Sequence, residues 1–178
     1  MLEWALFASG YFFLTHLMVN QAGYMKNVTF YLLDEHMIKD GLTAVERLAC
    51  DLAAIKWREG KLVLIACEDH VQALKLDDAL WVRDPNSFLP HNLSGEGPSY
   101  GAPLEVCWPQ RHCNSPRDLL ISLLPSCADF AFAFHEVIDF VPYEDISKQL
   151  ARDRYKAYRS LGFQLITANL PTLVNNDT

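Results

Sequence analysis

Residues 28–67, VTFYLLDEHMIKDGLTAVERLACDLAAIKWREGKLVLIAC, decide the fold. Val28–Leu33 (VTFYLL) is a β-branched and aromatic run, the composition of a buried strand. Over Leu42–Glu59, apolar Leu42, Val45, Leu48, Ala49, Leu52 and Ile55 recur at helical spacing. Thr43 stands where a helix N-cap belongs, and Gly60 stands where a helix ends. Leu62–Cys67 (LVLIAC) is apolar throughout, a second buried strand. His70–Val82 then reads as a second helix, with Ala73, Leu74, Leu76, Ala79 and Leu80 toward the core. Strand, helix, strand, helix in this order predicts an α/β fold with a parallel sheet and helices across it.

Downstream, Leu104–Trp108 and Leu119–Leu124 read as further strands, and Asp129–Val137 (DFAFAFHEV) as a short helix bearing three phenylalanines. Ile138–Val141 reads as a strand closed by Pro142, and Phe163–Ala168 as the last strand. Between them, Asp84–Pro103 is a long segment full of Pro and Gly, of the kind that forms an irregular functional or packed loop. One domain is expected over residues 25–170, with 171–178 as a frayed tail.

The totals fit that reading. A chain of 178 residues is long enough for one real core. Its net charge of −7 and pI near 5.3 argue against a general nucleic-acid binder, which shows as a basic domain. Cys50, Cys67, Cys107, Cys113 and Cys127 are odd in number and irregularly spaced. Cys50 and Cys67 lie in apolar runs and read as small core hydrophobes. Without a CxxC pair, neither a zinc site nor a redox pair is expected, and the setting is read as reducing and cytoplasmic.

Residues 1–24 differ from the rest. MLEWALFASGYFFLTHLMVNQAGY carries one formal charge, Glu3, and many aromatics. Its best apolar stretch, Trp4–Val19, is interrupted by Ser9, Gly10, Thr15 and His16 and is short for a membrane span. It lacks the positive leader of a signal peptide. Residues 1–24 are read as an extension outside the fold, with Met25 as the natural start and no membrane role; the alternative is a real interfacial or targeting segment.

A reversal of charge marks Asp145–Arg159, DISKQLARDRYKAYR. Lys148, Arg152, Arg154, Lys156 and Arg159 face Asp145 and Asp153, a local charge of +3 on a chain of −7, which leaves −10 elsewhere. Lys148, Arg152, Tyr155 and Arg159 step by 4, 3 and 4 and share one helical face. Cations around an aromatic ring suit a short acidic peptide with an aromatic anchor better than a long phosphate backbone. The plainer alternative is a solvated face on a helix that gives Leu150, Ala151, Ala157 and Leu161 to the core.

Other candidates carry less chemistry. Cys67-Glu68-Asp69 ends a strand, where α/β enzymes place reactive groups, but nothing in the spacing pairs Cys67 with His91 or His135 as a base. Gly95-Glu96-Gly97 lacks the strand–loop–helix context of a phosphate cradle and reads as a turn. The six histidines form no HxxxH or HExxH, so no metal site is expected. Trp81, Phe88 and Leu89 are either core residues or an apolar patch for a protein partner.

Six pieces together carry a family resemblance: KNVTFYLL (Lys26–Leu33), LIACED (Leu64–Asp69), ALW (Ala79–Trp81), PHNLSGEGP (Pro90–Pro98), DFVPYED (Asp139–Asp145) and QLARDRYKAYR (Gln149–Arg159) with Gly162-Phe163. From Met25 to about Ala168 the chain resembles the chi subunit family of bacterial DNA polymerase III. The resemblance implies a three-layer α/β/α fold with a largely parallel (mixed) sheet, Rossmann-like without a dinucleotide fingerprint. It implies a non-catalytic accessory subunit with no cofactor. The implied partners are the psi subunit, which tethers chi to the clamp loader, and the acidic C-terminal tail of single-stranded DNA-binding protein (SSB), which ends in Pro-Phe. DNA is then met only indirectly. By the same resemblance, Lys148, Arg152, Tyr155 and Lys156 form the tail site, with Tyr155 walling a Phe pocket, and Trp81 and Phe88 face psi. The rival readings are a small α/β enzyme using Cys67 or a histidine, and a direct single-strand binder, which the −10 outside the helix opposes.

Overall fold

A computed structural model describes residues 25–34, 38–82, 88–98, 100–113 and 115–170. The strands are β1 (Asn27–Leu32), β2 (Val63–Ala66), β3 (His91–Leu93), β4 (Leu104–Cys107), β5 (Leu119–Ser122), β6 (Glu136–Val141) and β7 (Gln164–Ala168). The helices are α1 (Ala44–Arg58), α2 (His70–Val82) and α3 (Asp145–Ser160), with a short 3-10 helix at Asp129–Ala133. The strands form one sheet in the order β3-β4-β2-β5-β6-β1-β7. Every neighbouring pair is parallel. Parallel strands need crossover connections, and α1, α2 and α3 supply three of them.

Strand periodicity divides the core into two layers. Val63, Ile65, Leu104, Val106, Leu119 and Ile121 pack with Leu48, Leu52, Ala73, Leu76 and Leu80 of α1 and α2. Their sequence neighbours Leu64, Ala66, Cys107 and Leu120 turn to the other face, with Val28, Phe30, Phe134 and Tyr158. The domain is therefore helix, sheet, helix.

Local chemistry explains the first crossover. Thr43 accepts from the Glu46 backbone N–H, and the Glu46 carboxylate accepts from the Thr43 N–H at 2.8 Å, a reciprocal capping box. Glu46 also accepts from Gln72 at 3.2 Å and from Lys75 at 2.7 Å, so one buried carboxylate ties the start of α1 to α2. Burial works to raise its pKa, but the bonds from Lys75, Thr43 and Gln72 outweigh it and hold Glu46 below the ordinary carboxylate value.

The structure corrects several sequence expectations. The DFAFAFHEV segment is helical only as the 3-10 turn Asp129–Ala133, because Glu136 already belongs to β6 and pairs with Asn27 of β1. The long Pro- and Gly-rich segment contains β3, an edge strand that alternation over three residues is too short to reveal. Leu74, Leu150 and Leu161 are 42%, 42% and 45% exposed rather than core. As expected, Gly95-Glu96-Gly97 is a turn, stitched by the Asn92 amide, which donates to Leu93 O and Glu96 O at 2.7 Å each. Gly95 has φ +85°, a backbone conformation that favours glycine, whereas the Arg111 guanidinium 2.6 Å from a Cβ there is the end of a flexible side chain that can move aside. Residues 1–24 and 171–178 lie outside the described residues.

Candidate functional site

Helix α3 begins after the turn that leaves β6, and its packed face is Ala151, Arg154 and Tyr158. One of its five cations is thus spent inside. Arg154 donates to Asp139 of β6 through Nε at 3.0 Å and Nη2 at 2.9 Å, and also to Phe140 O at 2.8 Å and Pro125 O at 3.2 Å. Asp139 is fully buried; burial raises its pKa while Arg154 pulls the other way. Helical charge alone could not separate this structural arginine from the others.

The remaining cations gather around a groove of about 460 Å³. Phe30, Leu32, Val141 and Ala151 give it apolar surface, and Lys148, Arg152, Lys156 and Arg159 give it charge. Its position follows from register. Leu32 of β1 lies beside Val141 of β6, and Phe30 beside Thr167 of β7, so the groove opens at the C-terminal ends of three adjacent parallel strands. Tyr155 leans over it, 39% exposed, with its ring centroid 5.5 Å from Phe30. Weak helical contacts hold the cations: Lys156 to Asp153 at 3.2 Å, Lys148 to Asp145 at 3.6 Å, and Arg152 Nη1 to Gln149 Oε1 at 3.2 Å. Lys148 Nζ also sits 5.1 Å over the Tyr143 ring. Such exposed pairs hold little energy, so an arriving carboxylate displaces them cheaply. The four residues expected at the tail site, Lys148, Arg152, Tyr155 and Lys156, all line this one groove. Phe30, Leu32, Val141 and Thr167 were missed. Only the β1 alternation of Val28 and Phe30 hinted at them, and strand neighbours are a tertiary fact.

A second surface lies at the other edge of the sheet. Trp81, at the end of α2, is 59% exposed, and Phe88 is 71% exposed. Their ring centroids are 6.3 Å apart. The core alternative therefore fails for both, while Leu89 between Phe88 and β3 goes into the core at 7% exposure.

Comparison with known proteins joins these surfaces to a family. Residues 25–166 match a family model described as "DNA polymerase III chi subunit, HolC". The chain belongs to the DNA polymerase III chi subunit family. It is 65% identical over 144 residues to DNA polymerase III subunit chi of Escherichia coli (strain K12), covering 81% of this chain and 98% of that one. The same-named subunit of Haemophilus influenzae is 48% identical, covering 82% of this chain and 98% of its own. That of Pseudomonas aeruginosa is 34% identical, covering 71% and 87%. A crystal structure of T4 UvsW shares the fold with a TM-score of 0.55 at 11% identity, over 83% of this chain and 42% of that one. The chi family is one of DNA polymerase III accessory subunits, so the chain is a DNA replication protein.

Against that background the enzyme candidates are weak. Cys67 is fully buried, and burial, with Cys107 and Cys50 beside it, pushes its thiol pKa well up. That is the opposite of an activated nucleophile. Neither His91 nor His135 lines its cavity of about 360 Å³; His112 and Cys127 do. Burial likewise pushes Cys107 up to about 12. A further cavity of about 520 Å³ contains Arg117, but that guanidinium is already bonded to buried Glu105 and to Ala102 O. Among the described residues, no group of three His, Cys, Asp or Glu side chains stands ready to hold a metal, and no helix is long and apolar enough to cross a membrane.

Proposed function

We propose that this protein is a non-catalytic coupling subunit in the cytoplasm. It links the replicase clamp loader, through psi bound at Trp81 and Phe88, to the acidic C-terminal tail of SSB, bound at Lys148, Arg152, Tyr155 and Lys156. Contact with DNA is then indirect. The observation that carries the reading is the groove: an apolar slot walled by Tyr155 and rimmed by cations, on a chain whose net charge is −7. An aromatic side chain at the end of a tail enters the slot, and its terminal and acidic carboxylates meet Arg152 and the lysines. On a negative protein, a local positive rim also steers acidic partners to this one place. Calorimetry with a short acidic peptide ending in Pro-Phe tests it. Saturable binding that weakens with salt is expected, and loss of the terminal Phe should remove most of the affinity. A peptide that binds equally well with or without its Phe would refute the slot. We further propose residues 25–170 as the working domain, with Met25 as the natural start. Recovery from cells of an N-terminal peptide containing Trp4 or Phe12 would overturn that part.

A further inference from the structure

His91 sits where the two exposed aromatics meet. Its side chain is 1% exposed, and its Nδ1 lies 2.7 Å from Leu89 O. Its Nε2 is buried without a hydrogen-bond partner and lies 3.5 Å from Asp77 Oδ1 of α2. Its two ring nitrogens therefore face oxygens, a carbonyl on one side and a carboxyl group on the other. The Trp81 ring lies 4.7 Å from the His91 ring.

The neighbourhood agrees. Asp77 is turned toward His91 and also accepts a hydrogen bond from the Trp81 side chain, with Asp78 and Glu96 as its other charged neighbours. On β4, the residue opposite His91 is apolar Leu104. Glu105, next along β4, is committed to Arg117.

From this geometry we infer that His91 positions the two anchors of the second surface, holding α2 near Trp81 through Asp77 and the Phe88-Leu89 segment through Leu89 O. Phe88 and Trp81 lie on different segments, and His91 meets both: its Nδ1 meets Leu89 O, its Nε2 faces Asp77, and its ring stands beside Trp81. The assignment of psi to this surface is the proposal made above; the positioning role of His91 does not depend on it.

The test uses NMR on the chain as it stands. His91→Gln should weaken the Trp81–Phe88 ring contacts seen as Overhauser effects while the β1 and β6 amide signals stay in place. Contacts that persist in His91→Gln overturn the assignment. Psi affinity is measured separately and should fall several-fold in His91→Gln. Lost ring contacts with unchanged psi affinity would sink the placement of psi and leave His91's role standing.

Discussion

The two surfaces proposed for recognition are built in opposite ways. At the β3 edge, Trp81 and Phe88 project from the protein, and Asp77, Asp78 and Glu96 surround their base. At the other end of the sheet, Tyr155 leans on Phe30 over a recess rimmed by Lys148, Arg152, Lys156 and Arg159. A projecting aromatic pair is shaped to enter a partner's pocket; a recess is shaped to receive a partner's side chain. Their ground charges differ as well, so the first surface should depend on apolar burial and the second on salt. Five strand spacings separate β3 from β1, roughly 25 Å at the usual inter-strand distance. That distance leaves room for two partners on one sheet at once, as the proposed coupling role requires.

The largest expected effect tests whether α3 really divides its cations. Arg154→Ala leaves Asp139 buried and unpaired and should cost about 3–5 kcal/mol in urea unfolding. A loss below about 1 kcal/mol would mean that Arg154 belongs with the recognition cations after all. Next comes the projecting pair. Trp81→Ala or Phe88→Ala should weaken psi association by about 2 kcal/mol or more, with folding and acidic-peptide affinity intact. Loss of peptide binding in either variant would show that the surfaces are not independent. In the groove, Arg152→Ala should weaken the acidic peptide by about 1.5–3 kcal/mol at low salt, the scale of a hydrogen bond to a charged group. Psi binding should not change, and an unchanged peptide titration would remove Arg152 from the site.

The smallest effect is a control on the scaffold behind Trp81. The carboxyl of Glu46 is held below its ordinary value in the folded protein. Its contribution to stability is therefore present above the unfolded carboxylate pKa and is lost as pH falls through the folded value. Glu46→Gln should flatten the acid side of the stability–pH curve, and Thr43→Ala should cost about 1 kcal/mol through the lost cap. Both should leave the two surfaces alone. A shift in psi affinity in either would mean that the α1–α2 tie also sets the pose of Trp81.

Much of this was legible in the chain. Strands β1 and β2 and helices α1 and α2 were read within a residue or two, because apolar periodicity, Thr43 and Gly60 are local signals. The cationic face of α3 was legible for the same reason: 4, 3, 4 spacing is a property of one helix. Burial direction was not. Leu150 looked like core and Arg154 like surface, and the structure reverses them. Helical periodicity places residues on a face without saying which face meets the sheet, and a buried arginine is acceptable only because Asp139 waits on β6.

By itself, the sequence determined the opening strand-helix-strand-helix order, the parallel α/β class, the cationic helix and the family. Only the tertiary structure decided that Trp81 and Phe88 stand outside, that Tyr155 meets Phe30 over a slot, and that His91 lies between a carbonyl and a carboxylate. Local patterns follow from neighbours along the chain, and these contacts join residues far apart in it. Their geometry depends on strand order and register, which no single segment encodes.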